Sequence, residues 1–126
     1  MRDLPDGASG EGLATHVLAD LWGVEPAVLD DVARLEALLH DAAKAARCEV
    51  LHAARHHFTP QGVTVVLVLA ESHLAIHTWP EHGYASVDLL TCGKTLPREG
   101  VQALISALNP RRSEVRFVDR GRLQPR

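Results

Sequence analysis

The stretch from Ala70 to Gly93, AESHLAIHTWPEHGYASVDLLTCG, decides the fold. From Leu74 to Trp79, and again from Tyr84 to Leu90, polar and apolar residues alternate, which is the period of two of a half-buried strand. Between the two runs stand Pro80, Glu81, His82 and Gly83. A proline cannot continue a hydrogen-bonded ladder, and a glycine accepts positive φ without a Cβ clash. Two alternating runs joined by four such residues read as a β-hairpin, so the chain is built around an antiparallel sheet.

Upstream, Thr59-Pro60-Gln61-Gly62 is a turn that leads into Val63 to Ala70, an apolar run interrupted only by Thr64. Such a run predicts a strand buried on both sides or at the centre of a sheet. Cys48 to His56 reads as a further short strand. Pro26 opens a helix in which Val28, Val32, Leu35, Leu38, Leu39, Ala42 and Ala46 share one face. Asp30 and Asp31 fall in its first turns, where the helix dipole favours acids. Leu13, Val17 and Leu21 fit either one face of a strand or a helical i, i+4, i+8 stripe, and periodicity leaves both open. Residues 1–11, MRDLPDGASGE, have no apolar period and read as a mobile arm.

Downstream, Val101, Leu104, Ile105 and Leu108 recur at helical spacing after Pro97, and Asn109-Pro110 stops that helix. A last strand covers Glu114 to Val118. The order of elements predicts an α+β class: a two-layer α/β sandwich whose antiparallel sheet carries two helices on one face. Residues 12–126 form its single domain.

Composition agrees. With 126 residues, 46% of them apolar, the chain can close one core and not two. Only five residues are aromatic, so Phe58, Trp79 and Tyr84 each need a reason to be present. A net charge of -3, from 13 basic and 16 acidic residues, argues against a nucleic-acid partner. Arg111, Arg112, Arg116, Arg120, Arg122 and Arg126 read as a solvated tail. Two cysteines make no disulfide framework, and no N-terminal apolar segment suggests export, so a cytoplasmic location is expected. No apolar run approaches the roughly 20 residues of a membrane span, so no membrane association is expected.

The chemistry-bearing residues of the Ala70–Gly93 stretch admit three general readings. Ser72, His77 and Asp88 offer the parts of a hydrolase triad, although no strained nucleophile elbow surrounds the serine. His73, His77, His82 and Cys92 offer metal ligands, but without paired cysteines or an HExxH pattern. The third reading is an ordinary hairpin with scattered polar side chains.

The string as a whole is more specific than any of its members. ESHLAIHTWPE, followed by GYAS, an aspartate and TCG, resembles the processing and active-site segment of prokaryotic S-adenosylmethionine decarboxylase proenzymes. The resemblance extends upstream through His57-Phe58-Thr59-Pro60-Gln61-Gly62-Val63 and, more weakly, through Leu13 to Leu21 and the long helix. The C-terminal third matches in pattern only. The resemblance implies a homodimer of two-layer α/β sandwiches with active sites at the interface, and it makes Leu13 to Leu21 a strand.

It also implies a self-processing, pyruvoyl-dependent decarboxylase of S-adenosylmethionine whose product is the aminopropyl donor for spermidine synthesis. Losing carbon dioxide from an α-amino acid leaves a carbanion, and no standard side chain is electrophilic enough to accept it. In the family the serine matched by Ser72 supplies a ketone. Its hydroxyl attacks the carbonyl of the preceding residue, here Glu71, the chain is cut between Glu71 and Ser72, and a pyruvoyl group remains. The substrate amine then condenses with that ketone to a Schiff base. By the same resemblance His77 assists processing as a base, Thr64 stands where the family has a helper serine, and Cys92 is the proton donor. Phe58 and Trp79 hold the adenine, and Glu81 takes the ribose hydroxyls. No metal is expected.

Three expectations are open to direct contradiction. A straight strand would put His77 roughly 16 Å from Ser72 and on the opposite face, so assistance by His77 requires a bend near Ser72 and His73, with the regular strand starting at about Leu74. Thr64 keeps the hydroxyl of the serine it replaces but loses rotamer freedom, so slower processing is expected. Arg55 and His57 differ in charge from the family pattern and could alter what the pocket accepts. The alternative functions are therefore decarboxylation of free arginine or ornithine on the same scaffold, or a binding homologue that never cleaves.

Overall fold

The computed structural model describes Leu4 and residues 12–122. Among the described residues there are six strands: β1 (Gly12–Trp22), β2 (Val50–His57), β3 (Val63–Leu69), β4 (Ser72–Trp79), β5 (Tyr84–Thr91) and β6 (Arg112–Arg122). Helices α1 (Pro26–Leu29), α2 (Val32–Ala45) and α3 (Pro97–Leu108) complete the fold, with a 3-10 turn at Pro80–His82 between β4 and β5. All strand pairs are antiparallel, in the order β2-β3-β4-β5-β1-β6. The α+β sandwich and the strand at the N-terminal segment are thus as the sequence implies.

One face of the sheet is apolar and carries the helices. Val63, Val65, Leu67 and Leu69 of β3 alternate with half-buried or exposed neighbours, and Ala85, Val87, Leu89 and Thr91 do the same on β5. Against them pack Leu35, Leu39, Ala42 and Ala43 of α2 and Val101, Leu104 and Leu108 of α3. The two helices touch closely at Gly100, where a Cβ would lie 2.7 Å from the Ala46 Cβ and 2.9 Å from the Ala42 carbonyl oxygen, so only glycine fits. Thr78 pins the sheet to α1. Its buried hydroxyl donates to the Leu29 carbonyl at 2.6 Å and accepts from the Val63 amide at 2.9 Å.

Some boundaries differ from those read in the sequence. The single helix expected from Pro26 is broken after Leu29, and α2 starts afresh with Asp31 accepting the Arg34 amide at 3.1 Å as its N-cap. Asp30 leaves the helix altogether to bind the β2–β3 turn. Of the two alternatives for β3, the interior of the sheet holds, since β2 and β4 flank it, while burial on both faces does not: Val68 is 42% exposed on the face away from the helices. The arginine-rich tail is for the most part the edge strand β6, with Arg112 stacked 4.9 Å from the Trp22 ring centre and Arg122 paired to Asp119. The arm expected over residues 1–11 lies outside the described residues except at Leu4, which is buried in the core and accepts a hydrogen bond from Arg98.

Candidate active site

β3 returns into β4 through Ala70 and Glu71, with Leu69 paired to Ser72. So tight a connection needs a positive φ, and Glu71 adopts it at 64°. Glycine, asparagine or aspartate normally occupies such a position, and an L side chain there costs roughly 1–2 kcal/mol. The strained residue is the one whose carbonyl precedes Ser72. The end of β5 delivers Cys92 to the same place. Its Sγ lies 3.5 Å from the Glu71 carbonyl oxygen, 3.6 Å from Glu71 Oε2 and 4.0 Å from Ser72 Oγ. A hydroxyl, a thiol and a strained peptide thus converge beside a cavity of about 160 Å³ lined by Ala14, Thr15, Thr91 and Cys92. Cys48 packs against the core, and burial, with the neighbouring Cys92 thiol second, raises its pKa.

A second cluster forms at the far end of β4. Phe58, Gly62, Thr64, His77, Trp79 and Glu81 line a cleft of about 310 Å³. Thr64 Oγ1 and His77 Nδ1 are hydrogen-bonded at 2.9 Å across β3 and β4. Phe58 is 47% and Trp79 42% exposed, so neither ring serves the core. Trp79 leans on Tyr84, ring centres 5.3 Å apart, and the Tyr84 hydroxyl donates to Asp20. The Phe58 turn is held by Asp30, whose Oδ1 accepts from the Gly62 amide at 2.9 Å and from His57 Nε2 at 2.8 Å. Those two bonds, the amide first, hold the Asp30 carboxyl below its ordinary pKa.

Several expectations need correction. No bend occurs at Ser72 or His73: β4 runs unbroken from Ser72 to Trp79, and the sharp reversal sits one residue earlier, at Glu71. Ser72 and His77 are therefore about 16 Å apart and on opposite faces, and His77 cannot assist Ser72 of its own chain. The hydrolase triad fails on the same geometry, since Asp88 is bonded to His73 and His16 and not to His77. The proposed metal ligands also disperse, with His73 and His77 about 13 Å apart along β4 and Cys92 at the Ser72 end. Arg55 and His57 do not reach the cleft. They turn to the helical face, paired with Glu36 at 3.6 Å and Asp30 at 2.8 Å.

The sequence reading missed a network on the open face of the sheet. Asp88 Oδ2 receives His73 Nε2 at 2.7 Å and His16 Nε2 at 2.9 Å, and Arg120 donates to His16 Nδ1 at 3.0 Å. Burial pushes the Asp88 pKa up, but the two imidazole hydrogen bonds outweigh it and leave the carboxyl below its ordinary value. Only the registers of β4, β5, β1 and β6, which local pattern does not give, bring these four side chains together.

Comparison with known proteins matches residues 15–121 to the model of the S-adenosylmethionine decarboxylase family. The S-adenosylmethionine decarboxylase proenzyme of Methanococcus maripaludis is 43% identical over 110 residues, covering 86% of this chain and 90% of that protein. The proenzyme of Caldanaerobacter subterraneus is 44% identical, with 86% and 89% covered. The crystal structure of the adenosylmethionine decarboxylase from Aquifex aeolicus superposes with a TM-score of 0.84 at 38% identity, over 92% of this chain and 97% of the other.

Proposed function

The chain belongs to the S-adenosylmethionine decarboxylase family, and from that premise we propose how it acts: it is a proenzyme that cuts its own backbone between Glu71 and Ser72 and decarboxylates S-adenosylmethionine at the new chain end. The observation that carries this reading is the convergence of the positive-φ Glu71, Ser72 Oγ and, from the end of β5, Cys92 Sγ at one turn.

Ser72 Oγ adds to the Glu71 carbonyl carbon. Cys92 Sγ, 3.5 Å from that carbonyl oxygen, is placed to donate to it as negative charge grows. The peptide C–N bond breaks, the nitrogen leaves as an amine, and an ester joins Glu71 to the serine oxygen. Loss of the Ser72 α-proton expels Glu71 as a carboxylate, and water then releases ammonia to leave a pyruvoyl group. Its fit is local: the attacking hydroxyl and the peptide to be broken are adjacent at the β3–β4 turn, and the end of β5 brings a proton donor to them. That group supplies the electrophilic ketone that takes up the electron pair left by carbon dioxide. Cys92 delivers the proton to the decarboxylated carbon.

The base for the α-proton must come from elsewhere, because His77 of the same chain is about 16 Å away. We infer that it comes from a second copy. In a twofold dimer the same patch serves both partners, so the Ser72–Cys92 end of each chain meets the Thr64–His77 end of the other. Phe58 and Trp79 then hold the adenine, and Glu81 the ribose hydroxyls, of a substrate bound at the partner's Ser72. The open face between the two ends suits burial against a copy of itself: Val66, Leu18 and Ala75 lie on it, and Val68 is 42% exposed.

The substrate is tested by release of labelled carbon dioxide from carboxyl-labelled S-adenosylmethionine, arginine and ornithine. Release from S-adenosylmethionine alone is expected, giving the aminopropyl donor for spermidine synthesis. Release from either free amino acid and none from S-adenosylmethionine overturns the assignment.

A further inference from the structure

Cleavage makes Ser72 the first residue of a chain, and chain ends fray unless they are tied down. Before the cut, the turn at Ala70 and Glu71 holds Ser72 against Leu69. After it, that covalent restraint is gone, while a reacting group must stay within about 0.5 Å of its productive position. Backbone pairing is one-sided at this point: β3 is in register with β4 as far as Ser72, but β5 only from His73 onward.

The next residue past the cut is His73, and it is bonded to Asp88 at the end of a network that draws on three other strands. Its Nε2 lies 2.7 Å from Asp88 Oδ2 on β5, and the same oxygen takes His16 Nε2 of β1 at 2.9 Å. Arg120 of β6 donates to His16 Nδ1 at 3.0 Å. A guanidinium only donates, so His16 Nδ1 is an acceptor and its Nε2 carries the hydrogen that goes to Asp88. Hydrogen bonds to a carboxylate of this kind are about twice as strong as neutral ones. Among the described residues, His16, His73 and Asp88 are the set whose ligand atoms lie close enough for a metal ion. The Arg120 contact argues against one, because it leaves the His16 nitrogen that faces Asp88 protonated.

We propose that the Arg120–His16–Asp88 network clamps His73 and thereby holds the chain end created by cleavage, which makes His73 and Asp88 positioning residues for decarboxylation and not for the cut itself. The proposal rests on the cleavage between Glu71 and Ser72 described above. The clamp has work to do only once the turn is severed, and that separates it from a general structural role.

The test is hydrogen exchange, read by mass spectrometry on the peptide from residue 73 to 79, in four full-length proteins: the parent, Asp88→Asn, Ser72→Ala and the double variant. Exchange in the cleaved Asp88→Asn protein should rise by about tenfold over the cleaved parent. The uncleaved Ser72→Ala pair should agree within about twofold, because the intact turn still holds the strand. The cleaved fraction of Asp88→Asn should match the parent, while kcat falls by about 10- to 100-fold with little change in KM. His73→Ala should behave as Asp88→Asn does, and His73→Gln, which keeps a donor, should recover part of the loss. His73→Ala carries the comparison if Asp88→Asn does not fold. Equal exchange in the two cleaved proteins overturns the clamp, as does an equal rise in the uncleaved pair. A parent chain whose intact mass shows no cleavage removes the reading beneath it, an outcome distinct from failure of the clamp.

Discussion

At Glu71 a residue with a bulky side chain holds a conformation suited to glycine, and in the proposed cleavage it is the residue whose carbonyl Ser72 attacks. Releasing that strain stabilises the uncut chain, so Glu71→Gly should slow cleavage by roughly fivefold, the equivalent of about 1 kcal/mol. The appearance of the two fragments on a denaturing gel over time measures it, and cleavage as fast as in the parent removes strain from the mechanism. Cys92→Ala should lower kcat by about 10²-fold or more, the range for loss of a positioned proton donor. Thr78 tests the scaffold instead. Thr78→Val leaves the Leu29 carbonyl and the Val63 amide without their buried partner and should cost about 1–3 kcal/mol in chemical denaturation. Ser72, Cys92, Phe58 and Trp79 could be singled out from the sequence because they stand in long, specific strings. Asp30 could not: as an acid beside a helix start it looks like a cap, and only the fold shows it binding the Gly62 amide.

The hairpin of β4 and β5 was readable because strict alternation and a proline–glycine turn agree. The break between α1 and α2 was not, since the apolar stripe continues across it while Asp31 starts a new helix. β4 shows what local pattern leaves out. Its alternation is clear from Leu74, and nothing in the sequence places the reversal at Glu71 and not at Ser72. The β4–β5–β1 crossing at Asp88 has a pH signature. Its carboxyl sits below 3.8 when folded, so its stabilisation is complete above that value and is lost as pH falls through the lower folded one. The thermal midpoint of Asp88→Asn should therefore lie below that of the parent at neutral pH, and the gap should close as pH drops below about 4. A gap that persists unchanged into acid contradicts the assigned charge state.

At the scale of the whole molecule, the proposed mechanism requires two copies, because each chain places the Ser72–Cys92 cluster and the Thr64–His77 cluster at opposite ends of β4. The resemblance pointed to an interface, and the straight β4 gives the physical reason: its two ends cannot meet. Co-expression of Ser72→Ala with His77→Ala should therefore restore cleavage and activity that neither variant has alone. In the mixed dimer, the intact Ser72 of one chain faces the intact His77 of the other. No helix among the described residues is long and apolar enough to cross a membrane.

Self-processing at Ser72 can be measured without assuming a substrate, by intact mass under denaturing conditions with and without a carbonyl-trapping reagent. Two chains divided between Glu71 and Ser72 are expected, the second lighter by one ammonia than simple hydrolysis leaves it and shifted by the trap. A single chain of 13.7 kDa, unshifted and still whole after long incubation, contradicts it.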